Sequence, residues 1–298
     1  MIALTEKKSG FLNLLASRQV RRGILVAPLL IFFILFFVIP VGLMFLSSLN
    51  TPAVGTVELS SELTLKNYTR FFSRSSYLIA AGRSLLLASI VSFVSLLIAY
   101  PTAFLIARTE HPGRVTFLTL LVLIAMQLDI VIRLYGMMVI LGDNGLVNQM
   151  LLGLGVISKP LPLMYNFLGV VFGLVQFALP FMILTLVGVL RGIDPSLEEA
   201  ARSLGANRFR CFYRVTLPAS LPGILAGTLL VFALSVSSYI VPALMGGFRV
   251  GVLPIHIFQQ VMQMAQFQFG AAVGVVLFLI SLTSIAVYLR VGSSARGA

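Results

Sequence analysis

This chain has little charge. Only 10% of its 298 residues are Asp, Glu, Lys or Arg, against about a quarter in soluble domains. Cysteine occurs once, at Cys211, so no internal disulfide can form and no compartment follows from cysteine pairing. Histidine occurs twice, at His111 and His256, on segments that the topology below puts on opposite sides of a bilayer, which excludes a His-pair metal site. None of the four lysines, Lys7, Lys8, Lys66 and Lys159, ends a G-x-x-x-x-G-K-S/T phosphate loop. The chain therefore carries no ATP-hydrolysing motif, and Cys211 has no neighbouring histidine to activate it. No catalytic constellation and no metal ligand set is expected.

What it has is apolar length. Hydrophobic residues make up 59% and mean hydropathy is +1.05. A bilayer core of about 30 Å needs roughly 20 apolar residues per helix. Six such runs are expected: 24–46, 83–107, 115–141, 164–190, 222–244 and 267–289. The first is too long for the core of a cleaved signal peptide and reads as a retained helix. Residues 1–23 are polar and basic, residues 66–72 suggest a short interfacial helix, and residues 146–156 are apolar but too short to cross. The fold class is all-α integral membrane, with 24–290 as the membrane domain and 291–298 as a tail.

The basic residues set orientation. Fourteen fall on the side of the termini and of the loop 191–221, against 6 on the other side; Arg133 lies within a span. The richer side is cytoplasmic, so an N-in/C-in arrangement is expected. The net charge of +12 is then a topology signal, and nucleic acid is not needed as a partner.

That cytoplasmic loop is built to be stiff. Asp194 before Pro195 is a helix cap, although Ser196 and Glu199 also fit a capping box. Glu198 and Glu199 early and Arg202 late suit the helix dipole. Gly205 can take the left-handed conformation that ends a helix. A second helix is expected from Asn207 to Val215, stopped by Pro218 and Pro222. Glu199, Ala200, Ala201, then Gly205, then Val215 with Leu217 and Pro218 match at seven positions over twenty residues a known pattern. The segment resembles the EAA loop of binding-protein-dependent ABC importer permeases, with Val215 where isoleucine is commoner.

That resemblance implies a type I importer permease in the bacterial inner membrane. Its coupling loop (Glu198, Glu199, Ala200, Ala201, Gly205, Leu217, Pro218) would dock on a cytoplasmic ATPase dimer. The partners implied are that dimer, a second permease subunit, homologous or identical, an external binding protein, and lipid. The permease itself would need no cofactor, since ATP and Mg would sit on the ATPase. Tyr68 with Phe71-Phe72, Tyr100-Pro101, Arg133-Leu134-Tyr135-Gly136, Gly145 to Asn148, and Ser235 to Gly247 look like the spermidine/putrescine branch. That branch also serves other amines, opines and some anions.

Polar residues inside the spans are costly and tend to line cavities. Asp129 and Arg133 stand four apart, so on one continuous helix they share a face and can pair. The helical rise puts them about 21 and about 27 Å in from Val115, with Ser235, Ser237, Ser238 and Tyr239 about 20 to 26 Å in from Pro222. Gln176 comes out nearer mid-membrane, about 18 Å from the other end. These residues are the candidate pathway, with Asp129 facing a cation. The competing reading is an internal Asp129–Arg133 pair and serines bonded to their own backbone. A secondary carrier and a membrane scaffold are the alternatives from other classes. A carrier would need more buried ionisable groups and repeated, broken halves.

Overall fold

The computed structural model describes residues 18–51, 55 and 63–294. Lys7, Lys8 and Arg296, counted above for orientation, lie outside them. The described chain is almost wholly helical, and six stretches in it are long and apolar enough to cross a bilayer.

Helix α1 (Arg18–Phe33) runs through a wider π-helical turn, Ile34–Val38, into α2 (Ile39–Ser48). Helix α3 (Lys66–Ser73) is a short helix on the stretch expected to form one, followed by α4 (Ser75–Arg108), α5 (Pro112–Gln127), α6 (Ile130–Leu141) and α7 (Leu146–Gly153). Then come α8 (Phe167–Arg191), α9 (Pro195–Ser203) and α10 (Arg208–Cys211). A π-helical turn, Phe212–Thr216, leads into α11 (Leu217–Val236), α12 (Ile240–Met245), α13 (Leu253–Phe258) and α14 (Phe267–Ser294).

The core is where α4, α8 and α11 pack along one another. Leu87, Val91, Ala99 and Ala103 of α4 meet Leu174, Ala178, Met182 and Leu186 of α8 and Val231 of α11, all buried. Lipid tails are as apolar as leucine, so close packing rather than water exclusion holds these helices together. Helix α2 lies against α14, and the side chains from Leu29 to Val38 are exposed, as a lipid-facing span requires. A second cluster, Phe71, Tyr77, Leu253 and Phe269, ties α3, α13 and the starts of α4 and α14 together at the face opposite the 191–221 loop.

Three expectations need correction. The run 115–141 is not one helix: it divides between Gln127 and Ile130, because Asp129 caps a new helix. Its Oδ1 accepts from the N–H groups of Val131 at 2.8 Å and Ile132 at 3.4 Å. A short acidic side chain competes with the backbone for these donors and so favours a break over continuation. The stretch long enough to span there is Ile130–Gly153, and Pro112–Gln127 is a shorter apolar helix. Second, Pro218 and Pro222 do not end the helix that begins after Asn207, which continues from Arg208 to Val236. The π turn Phe212–Thr216 puts Pro218 in the first turn of α11, where a missing N–H is tolerated. Third, the fifth span stops at Val236 and resumes as α12, with Ser237, Ser238 and Tyr239 in the gap.

Candidate functional site

The 191–221 loop is a helical knuckle made by local sequence. Asp194 wins the capping competition: its Oδ1 accepts from Ser196 N–H at 2.9 Å, with Pro195 at the first helical position. These bonds hold the Asp194 carboxyl below its ordinary range. Gly205 has φ +81°, the left-handed conformation that reverses the chain after α9. Asn207 caps α10 through its Oδ1, which accepts from Arg210 N–H at 2.8 Å.

The two neighbouring glutamates face different ways. Glu198 turns inward, its side chain 12% exposed, and its Oε1 lies 2.5 Å from Nη2 of Arg108 at the end of α4. The same oxygen accepts from Thr216 Oγ1 at 3.0 Å, and Arg202 stands 3.9 Å from Oε2. Arg108 also donates from Nη1 to the Ile193 carbonyl at 3.2 Å. Cys211 is buried, its thiol 3.8 Å from the Glu198 carbonyl, so it packs the knuckle's interior. Glu199 and Ala200 are exposed, Ala201 half-buried, Leu217 packed against the core and Pro218 exposed.

The knuckle displays large apolar side chains. Leu204 is 89% and Phe209 72% exposed, with Leu197 and Tyr213 also exposed, among Arg202, Arg208, Arg210 and Arg214. The Phe209 and Tyr213 rings lie 4.9 Å apart. Apolar side chains grouped on a polar loop mark a contact surface. On the inner side, Phe212 packs edge-on against Tyr100 at 5.6 Å and Phe104 at 6.2 Å.

The span-embedded polar residues gather where two helices are interrupted. Arg133 on α6 lies 5.8 Å from the Phe177 ring on α8, one residue beyond Gln176. One turn away, Gly173 packs against Val241 and Met245 of α12 and Leu134 of α6. The breaks before α6 and α12 therefore flank the same stretch of α8. The expected Asp129–Arg133 ion pair does not form among the described residues: Asp129 is exposed and occupied with its own helix, while Arg133 Nε is buried without a partner. Ser235 bonds to the Val231 carbonyl at 2.7 Å and Ser237 to that of Ala233 at 2.9 Å, the backbone-bonded alternative. The Tyr239 ring stacks on Phe258 of α13 at 4.4 Å, and Ser238 is half-buried in the break. No group of three His, Cys, Asp or Glu able to hold a metal ion occurs among the described residues.

Sequence reasoning missed Arg108 and Thr216. Arg108 counted only as a topology charge, and nothing local ties it to a residue 90 positions away. Leu204 and Phe209 could have been found, as large apolar residues inside a charged loop.

Residues 9–296 match the family model described as "Binding-protein-dependent transport system inner membrane component". The chain is 36% identical to the spermidine/putrescine transport system permease protein PotB of Haemophilus influenzae, over 86% of this chain and 89% of that one. It is 35% identical to the Escherichia coli protein of the same description, over 76% of this chain and 82% of that one. A chain of a bacterial ABC transporter involved in the import of the acidic polysaccharide alginate superimposes with a TM-score of 0.71. That match covers 93% of this chain and 98% of the other at 18% identity, a likeness of fold.

Proposed function

Because the chain belongs to the family of binding-protein-dependent transport system inner membrane components, we propose that it is the permease subunit of an ATP-driven importer for a small cationic solute of the polyamine class. It sits in the bacterial inner membrane as a multi-pass protein and does not itself hydrolyse ATP. The observation that carries this reading is the knuckle: capped at Asp194 and Asn207, bonded to its own body through Glu198, and exposing Leu204, Phe209 and Glu199. Such a surface fits a groove on a partner that moves. The partner is a cytoplasmic ATPase dimer that holds ATP and Mg, and an external binding protein delivers the solute.

The termini and the knuckle face the cytosol, a placement supported by the excess of basic residues on that side. A second permease subunit, identical or homologous, completes the pore, with lipid on the remaining apolar faces. Nucleotide-driven closure of the ATPase pushes the knuckles together and switches the cavity between its two openings. The pathway follows the helix breaks, along Asp129, Arg133, Gln176, Ser235, Ser237, Ser238 and Tyr239. The polyamine class is supported by the relatives' names and by Asp129, the acidic residue at the α5–α6 break. A second reading, an anionic solute, is favoured by one observation: Arg133 presents a membrane-embedded cation whose Nε has no hydrogen-bond partner among the described residues.

The test is reconstitution in liposomes with the ATPase and the binding protein. Uptake of labelled spermidine or putrescine that needs ATP and both partners is expected. Uptake driven by an ion gradient alone would make the chain a secondary carrier. Uptake of an anion but neither amine would establish the second reading.

A further inference from the structure

The longest helix among the described residues ends on the knuckle. Helix α4 runs 34 residues, about 50 Å at the helical rise, and Arg108 is its last residue. The guanidinium donates one N–H to the Ile193 carbonyl, just ahead of α9, and another to Glu198, one turn into it. Glu198 in turn holds Thr216 at the entry to α11. One arginine–carboxylate pair thus joins the ends of α4 and α8 to α9 and the start of α11. Its two side chains are only 19% and 12% exposed, which shields the pair from solvent screening.

At its other end α4 is equally committed. Ser84 accepts from the Leu253 N–H of α13 at 2.9 Å, and Tyr77 packs against Phe71 and Phe269 and lies 5.2 Å from His256. Between the two ends Leu87, Val91, Ala99 and Ala103 are buried against α8 and α11. A displaced knuckle therefore has a stiff element to pull on, and Arg108 fastens that element to Glu198 by a charged hydrogen bond, beside the packing of Phe212 on Tyr100 and Phe104.

The geometry points to Arg108 as the positioning residue that hands the knuckle's stroke to α4, and through α4 to α13 on the opposite face. Glu198 and Glu199 then divide the work: Glu198 grips the permease's own body, and Glu199 faces the ATPase. This inference rests on the importer reading above.

The experiment uses the full complex in liposomes, with spermidine as the probe solute. Wild type, R108A, R108K and the swap R108E/E198R are compared for assembled complex, ATP turnover and uptake. R108A is expected to move about tenfold less spermidine per ATP, the size expected for losing a charged hydrogen bond. R108K keeps the charge without the fork and should fall between, and the swap should recover part of the ratio. An unchanged ratio in R108A, or uptake and turnover falling together with the amount of complex, would overturn the inference.

A readout independent of solute is the distance between nitroxides at Leu78 on α4 and Met150 on α7, in a Cys211→Ser background. It should change when nucleotide binds the wild-type complex and not when it binds R108A; the same change in both would also overturn the inference. Wild type that shows the distance change but takes up no spermidine would remove the polyamine reading and leave Arg108 to be judged on the distance.

Discussion

The hydroxyl of Tyr100 stands 2.8 Å from that of Ser220, joining α4 to α11 across 120 positions of sequence. Ser220 also donates to the Leu217 carbonyl at 2.9 Å, so in this pair Tyr100 is the donor. The two truncations are therefore unequal. Tyr100→Phe leaves Ser220 bonded to its own helix and should cost about 1 kcal/mol. Ser220→Ala strands a buried phenol and should cost about 1–3 kcal/mol. Thermal unfolding of the purified protein in detergent checks the order; the reverse order would mean that the hydroxyl pair is not held as described.

Gly173 lies where α8 packs against α12 and α6. A methyl there would lie 2.7 Å from Val241 Cγ1, 3.0 Å from Met245 Cγ and 3.3 Å from Leu134 Cδ2. Gly173→Ala should destabilise by about 1–3 kcal/mol and push apart the helices that follow the two breaks. Gly188→Ala, on the same helix with nothing within 4 Å, is the control and should be neutral or slightly stabilising. Unfolding temperature and uptake are measured together, and uptake is expected to fall in the first variant alone.

Gly205 tests the turn of the knuckle without a packing effect. Nothing lies within 4 Å of an added methyl, so Gly205→Ala acts only through its φ of +81°, a strain of about 1–2 kcal/mol. The expected outcome is a correctly inserted protein with weaker ATPase binding, read by co-purification of the two subunits. Gly205→Asn, which tolerates this conformation better, should lose less. Equal binding by all three proteins would take the turn out of the docking surface.

His256 gives the opposite face a pH dependence. Burial holds its imidazole below the ordinary 6.5, and a hydrogen bond with Gln259 opposes the shift only in part. Tyr77 packs on the ring, and Arg83 lies nearby against Gly251. The folded state then binds fewer protons than the unfolded chain between the two pKa values, so stability rises with pH across that window. Stability is fully present above about 6.5 and declines as pH falls below it. Unfolding temperature followed from pH 7.5 to 5 should show this slope, and His256→Gln should flatten it.

How much of this could be read from residue order differs by feature. The knuckle was legible because its determinants are neighbours: Asp194 caps two residues on, Asn207 three residues on, and Gly205 supplies its turn alone. The apolar runs were legible for the same reason, since a span is a property of twenty consecutive residues. The helix breaks were not. Asp129 looked like a group to be paired with Arg133, because i,i+4 spacing matters only while the helix continues. The prolines misled in the other direction: Pro218 and Pro222 read as terminators, and the π turn at Phe212–Thr216 absorbed the first of them.

By itself the sequence determined that this is a helical membrane protein with a stiff, capped, charged loop and no phosphate-loop motif, because composition, hydrophobic runs and caps act over a few residues. Only the tertiary structure decided that Glu198 belongs to the permease's own frame while Glu199 is left exposed. Two adjacent carboxylates are chemically alike, and Arg108 and Thr216, which separate their roles, come from 90 positions before and 18 after.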